Sequence, residues 1–413
     1  MSAVAILHYA GPPYVGGVEI TMAAHARALV ALGWSVRMIA AKGGELGPGV
    51  DVHLLPELDS RGDLVELISR ELAAGTVSAA FLALRDRIAA WLDEALAGCE
   101  ALMVHNVLSL HKNLAFTAAL RRLHDAGRLP RMLAWCHDFA WRDPLYLPEL
   151  HPGYPWDLLR EAWPGVRYVV VSEDRRGILA ELLGLLPEQI AVVTPGVDVR
   201  GLLKLEPETA DLVERLRLLE AAPLLLLPAR ITRRKNIELA IAIAGAMRHQ
   251  GATPRLVVTG PPGPHNPTNA AYLAELLALR RDTGAEDATV FLYEVFTDPR
   301  GQPRPVSDAM LADFFHLADG LLFPSRYEGF GIPVLEAGLS GIPIFCSDIP
   351  PLRASAGSAA LYFGLEERPD QIAERILAAL AVDQRYALRR RVRTIYTWEA
   401  IVRRHIVPLL AGG

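Results

Sequence analysis

Residues 324–343 read Pro324-Ser325-Arg326-Tyr327-Glu328-Gly329-Phe330-Gly331-Ile332-Pro333-Val334-Leu335-Glu336-Ala337-Gly338-Leu339-Ser340-Gly341-Ile342-Pro343. An apolar run from Leu321 to Pro324 leads into this stretch and predicts a strand. Gly329 and Gly331 then let the backbone approach a ligand, and Pro333 suits the first position of a helix, where its missing N–H is no loss. The order is strand, glycine loop, helix. It predicts unpaired amides from Phe330 to Leu335, through Ile332 and Val334, at a positive helix end suited to a pyrophosphate. Glu328 and Glu336 bracket that end as carboxylates able to accept from hydroxyls. A phosphorylated, hydroxyl-rich ligand meets both conditions. Read separately, the same acids are a solvated loop charge and a helix-surface charge.

At 413 residues the chain exceeds what one core serves, so two domains of roughly 200 residues are expected. With 51% hydrophobic and 22% charged residues and a net charge of -5, composition is globular and gives no sign of a nucleic-acid partner. The run Val4 to Leu7 is one strand long with no basic segment before it, so neither signal peptide nor membrane span is expected, and the expected location is cytoplasmic. Cys99, Cys136 and Cys346 form no metal or redox motif and are expected as buried thiols.

Short apolar runs alternate with amphipathic stretches, as in parallel sheets with helical crossovers. Strands are expected at 4–9, 35–40, 52–55, 101–104, 131–136, 167–171 and 190–194. After a charged helical connector at 205–220 they resume at 223–228, 255–259, 289–292, 320–323, 342–345 and 359–363. Two Rossmann-like α/β domains facing across a cleft are the simplest construction. The arginine-rich segment 385–404 and the residues just beyond it carry Leu388, Val392, Ile395, Trp398, Ile401, Val402 and Ile406 at near-helical spacing, so its arginines read as the wet face of a helix. The alternative for that segment is a membrane-surface or partner role, a peripheral membrane contact that nothing else in the chain supports.

The Glu328 and Glu336 spacing, with Gly-Phe-Gly after the first acid, resembles the E-x7-E motif of retaining glycosyltransferases of family 4 (GT4). The segment Ala229-Arg230-Ile231-Thr232-Arg233-Arg234-Lys235 resembles that family's Gly-Arg-Leu-x-x-x-Lys, with Ala229 for the glycine and with Arg233 and Arg234 outside its phosphate positions. An arginine fork and a lysine point charge can together neutralise a departing diphosphate. Gly16-Gly17-Val18-Glu19, ahead of a helix from Val18 to Leu32, resembles the family's Gly-Gly-x-Glu loop, or is simply a tight strand-to-helix turn. His137, in Trp-Cys-His-Asp, resembles the position that meets the transferred sugar, with Asp138 placed to orient its ring, whereas His105 reads as a structural strand-end histidine. Between residues 139 and 163, Phe139, Trp141, Tyr146, Tyr154, Trp156 and Trp163 read as a packing loop or an acceptor lid.

The resemblance runs from Gly16 to Trp398 and implies a GT-B fold. An N-terminal acceptor domain would span 1–197, completed by the terminal helix 398–413, and a donor domain would span 198–397. The implied activity is retaining transfer from a UDP-, GDP- or ADP-sugar to an acceptor hydroxyl on a glycan or small sugar, with no metal and no further cofactor. Glu328 and the Phe330 and Gly331 amides would hold the sugar, Glu336 the ribose, and Arg230, Lys235 and the helix amides the diphosphate. The rival is a non-catalytic sugar-nucleotide binder of the same fold. Departures occur at Pro195, in the place of an asparagine, at Tyr293, in the place of a glycine, and in the loop 260–267. The last two fall where the family holds base and diphosphate, so the base is not assigned.

Overall fold

A parallel strand covered by helices on both faces must be apolar on both, and the strands of this chain are. In the first sheet Val4, Ile6, Ala101, Met103, Leu133 and Trp135 enter one core, and their neighbours Ala5, Leu7, Leu102, Val104, Met132, Ala134 and Cys136 enter the other. That period-two partition is the pleat of a sheet buried on both sides.

The computed structural model describes residues 2–14, 16–262 and 268–412 and divides into two units, Met1–Val197 with Tyr396–Gly413, and Asp198–Ile395. The first holds β1 (Ala3–Leu7), β2 (Ser35–Ala40), β3 (Val50–Leu54), β4 (Ala101–His105), β5 (Arg131–Cys136), β6 (Arg167–Val170) and β7 (Ile190–Val192). They form one sheet in the order β3-β2-β1-β4-β5-β6-β7, every pairing parallel. The second holds β8 (Leu224–Leu227), β9 (Arg255–Val258), β10 (Thr289–Phe291), β11 (Gly320–Phe323), β12 (Ile344–Ser347) and β13 (Ala360–Phe363). Its order is β10-β9-β8-β11-β12-β13, again all parallel. The expected class, α/β with two Rossmann-like units, is the one observed, since both strand orders reverse beside the first strand of their unit.

β12 begins two residues later than the expected 342. Gly341, at φ +68°, ends the helix Ile332–Leu339, and the Ile342 amide turns back to the Ala337 carbonyl, so neither residue reaches the ladder. The connector at 205–220 is a helix, Pro207–Arg215, and a separate turn, Leu218–Glu220, divided by Arg217 at φ +53°. Cys136 and Cys346 are buried as expected, but Cys99 is half-exposed. The loop segment 263–267, part of the stretch expected to be long and stiff, lies outside the described residues.

The last residues return to the first unit. Val197 donates to the Tyr396 carbonyl at 2.7 Å, and Ile401, Val402, Ile406 and Leu410 complete the core that holds Val4 and Ile6. A side chain at Gly196 would begin 2.7 Å from the Trp398 ring, so glycine is what lets the two segments lie together.

The wet-face reading of the arginine-rich segment is corrected at two positions. Arg393 is buried, paired with buried Asp319 and donating to the Leu317 carbonyl, and Arg389 donates to the Ala318 carbonyl at 2.5 Å. Both cap the C-terminal end of the helix Asp308–Leu317, where orphan carbonyls attract cations. Leu388 and Ile395, counted on the apolar side, are exposed. Asp319 also accepts from the Leu224 amide at 2.8 Å, so one carboxylate ties β8 to this helix end. Removing one partner of a buried pair strands the other charge, so Arg393→Ala is expected to lower unfolding free energy by about 3–5 kcal/mol. Denaturant titration measures this against Arg368→Ala, whose surface pair with Asp370 is expected to contribute little. Equal losses in the two variants would show that the buried pair has no special weight.

Candidate active site

In the second unit β8 ends at Leu227, and the chain turns through Pro228, Ala229 and Arg230 to the short helix Arg233–Lys235. Lys235 is buried, and its Nζ lies 2.5 Å from Glu328 Oε1 and 4.6 Å above the Phe323 ring. Burial lowers the Lys235 pKa while Glu328 opposes the shift. Glu328 is equally buried and takes a second contact from Arg234 Nη1 at 3.3 Å. Two segments singled out separately by sequence thus meet in one ion pair, which also recruits Arg234. Arg233 turns away to Glu275 at 2.7 Å and over the Tyr272 ring. Arg230 is exposed and has no ionic partner among the described residues, so its guanidinium is available to an anion.

After β11, Gly331 at φ +94° caps the helix Ile332–Leu339. A side chain there would be both strained and 2.5 Å from Leu352, so the turn requires glycine. Among the described residues the Phe330, Gly331 and Ile332 amides have no backbone acceptor. Within the expected amide series, Val334 N–H is already bonded to the Gly331 carbonyl at 3.0 Å. Phe330, Ile332 and Leu335 are exposed. Glu336 is half-buried, its carboxylate without a hydrogen-bond partner among the described residues, and its pKa is raised by burial and then by Asp308.

In the first unit, Gly16 caps the helix Gly17–Ala31 with extended backbone, φ −155°. A side chain at Gly17 would meet nothing within 4 Å, whereas one at Gly16 would begin 2.3 Å from the Glu19 carboxylate, which would have to swing aside. His137 is corrected in one respect. Its ring is bonded to His105, Nε2 to Nδ1 at 3.0 Å, while the Asp138 carboxylate accepts from Asn106 Nδ2 at 3.2 Å. Asn106, at φ +57°, also takes the His137 and Asp138 amides on Oδ1, at 2.7 and 3.3 Å. Burial, against the Asp138 charge, lowers the His137 pKa to about 4, and burial lowers the fully enclosed His25 to about 3. His8 and His25 were not singled out from the sequence. Strand order exposes the signal for His8: β1, β4 and β5 are neighbours, and each ends at or next to a histidine. In the aromatic loop Phe139, Trp156 and Trp163 are core residues, which fits packing, while Tyr154 is exposed.

Residues 209–394 match the model described as glycosyl transferases group 1, and residues 15–200 match that of glycosyltransferase family 4. A D-inositol 3-phosphate glycosyltransferase of Frankia alni is 30% identical over 194 residues, 46% of this chain and 44% of that protein. A mannosylglucosylglycerate synthase of Petrotoga mobilis is 25% identical over 272 residues, 61% of this chain and 60% of that protein. The chain therefore spans about half the length of these relatives. The solved sucrose-phosphate synthase of Thermosynechococcus elongatus aligns over 100% of both chains at 20% identity and a TM-score of 0.39. No helix among the described residues is long and apolar enough to cross a membrane.

The depressed histidines fix an acid response. Below the ordinary imidazole pKa of 6.5 the unfolded chain gains protons that the folded one refuses until about 4 at His137 and about 3 at His25. Stability is therefore fully present above 6.5 and is lost as pH falls through that window, by up to about 1.4 kcal/mol per pH unit for each group. Denaturation midpoints at pH 7.5, 6 and 5 are expected to fall, and His25→Leu to flatten the decline. A His25→Leu decline as steep as the parent's would contradict this origin.

Proposed function

Because the chain belongs to the family 4 glycosyltransferases, we propose that it transfers a sugar from a nucleotide-sugar donor to an acceptor hydroxyl with retention at the anomeric carbon. The observation that carries this reading is the meeting of Lys235 and Glu328 in one buried pair near the open amides of Phe330, Gly331 and Ile332. Arg230, Lys235 and the amides take the diphosphate, whose charge grows as the bond from the anomeric carbon to the phosphate oxygen breaks. The acceptor oxygen bonds to that carbon from the same face, and its proton passes to the departing phosphate oxygen. Glu328 holds sugar hydroxyls. Its two cationic contacts make it a poor nucleophile, in keeping with that role. Glu336, with no partner of its own, takes the ribose hydroxyls, and His137 contacts the sugar being moved. Fixed cations and helix amides supply the charge that a metal would otherwise bring, so no metal and no cofactor beyond the donor is assigned.

Release of free nucleoside diphosphate in the presence of an acceptor distinguishes turnover from mere binding. Extensive chelation is expected to leave transfer intact, and complete loss restored only by one divalent ion would point to a metal-centred arrangement. Arg230→Ala is expected to lower turnover by about 100-fold or more, since it removes a preorganised charge from the leaving group. Near-normal turnover in the folded variant would reject its role.

Glu336→Gln is expected to weaken calorimetric binding of nucleoside diphosphate by more than a fewfold, because a charge-assisted hydrogen bond is worth about 1.5–3 kcal/mol. Glu328→Gln is expected chiefly to impair transfer. Since Lys235 and Glu328 touch, their single substitutions are also expected to be non-additive by about 0.5–3 kcal/mol in a double-mutant cycle. The reverse assignment of the two carboxylates, or strict additivity, would overturn this arrangement.

A further inference from the structure

The imidazole bonded to His137 belongs to a residue whose side chain is enclosed. His105 is 0% exposed, stacked on Trp135 at 5.5 Å and 19° and on His137 at 5.3 Å and 27°, with His25 at 5.8 Å. Its Nδ1 faces His137 Nε2 at 3.0 Å, while its Nε2 is sealed from solvent without a partner among the described residues. Its carbonyl accepts from His8 Nδ1 at 2.8 Å, so His8 also carries its proton on Nδ1. Asp138, held by Asn106, brings a negative charge to this edge, and the Glu19 charge acts on His8.

Burial, and the neighbouring histidines, lower the pKa values of both His105 and His137, so each ring carries one proton at neutral pH. Two arrangements are then available. If His137 donated, the His105 proton would sit on Nε2 as a buried N–H with no acceptor. If His105 donates, only a lone pair is left unmet there. Orphaned buried donors are the rarer and more costly case. His137 Nδ1, unlike His105 Nε2, is not sealed, and it has no protein partner among the described residues.

We propose that His105 is a positioning residue that fixes the tautomer of His137: its Nδ1–H donates to His137 Nε2, so His137 bears its proton on Nδ1 and presents that N–H to a sugar oxygen. The proposal rests on the reading of His137 as a contact to the transferred sugar. It makes His137 a neutral donor of one hydrogen bond at neutral pH, with no part in moving the acceptor's proton.

Long-range 1H–15N correlation on the whole protein with 15N-histidine, at pH 7 and assigned with His137→Gln, reads the tautomer directly. The expected pattern is a protonated Nδ1 and bare Nε2 on His137, with Nδ1 protonated on His105. A protonated Nε2 on His137 would overturn the proposal. In transfer assays His105→Leu is expected to lower kcat/KM for the nucleotide sugar about tenfold, the scale of one misdirected hydrogen bond, with nucleoside diphosphate affinity unchanged. His105→Asn, whose amide nitrogen stands where Nδ1 stood, is expected to recover most of that loss. Full activity in a folded His105→Leu protein would overturn the positioning role. If His137→Ala kept full transfer while the expected tautomer was seen, the sugar contact would fail and the His105–His137 relation would stand.

Discussion

Strands buried on both faces leave polar chemistry only at their ends. In both sheets all pairings are parallel, so the C-terminal ends of the strands in each sheet share one edge. His8, His105 and His137 gather at neighbouring ends of the first sheet, and Lys235 and Glu328 follow neighbouring β8 and β11 in the second. The apolar interior that makes the strands also removes water from these ends. Low polarity then governs each site: it lowers the pKa of the histidines and of Lys235 and makes each unmade hydrogen bond expensive.

Two buried ion pairs among the described residues of the second unit answer that cost in different ways. Arg393 and Asp319 are tied to the Leu317 carbonyl and the Leu224 amide, with Arg393 Nε alone of their side-chain atoms buried without a partner among the described residues, and the result is structural. Lys235 and Glu328 have fewer partners of that kind. Glu328 has Arg234 as its second contact, and the neighbouring Arg230 has none among the described residues. An array of cations with one carboxylate is an unfinished electrostatic balance, which a diphosphate would complete.

Asn106 plays the corresponding part in the first unit. Its positive φ turns the chain sharply after β4, and its side-chain amide then reaches the His137 and Asp138 backbone and the Asp138 carboxylate. The β5 end is thereby held in place by a side chain from the adjacent strand end. Asparagine suits this, because it tolerates the left-handed region and offers both donor and acceptor.

Much of this was legible in the sequence, because strand identity depends on local apolar runs and the helix start at Ile332 on local glycine and proline chemistry. All thirteen strands were expected, with ends displaced by one or two residues where a turn such as that at Gly341 took the backbone first. Glu328, Lys235, Arg230 and His137 were singled out because short local motifs around them, each after an apolar run, resemble those of the family. Pairing was not legible. That Lys235 meets Glu328 across 93 residues, that His105 and not Asp138 holds His137, and that Arg393 is buried against Asp319 follow from strand order and helix packing. Composition and spacing specify which groups the chain carries, but a hydrogen bond depends on distances of about 3 Å, and only the tertiary structure sets those.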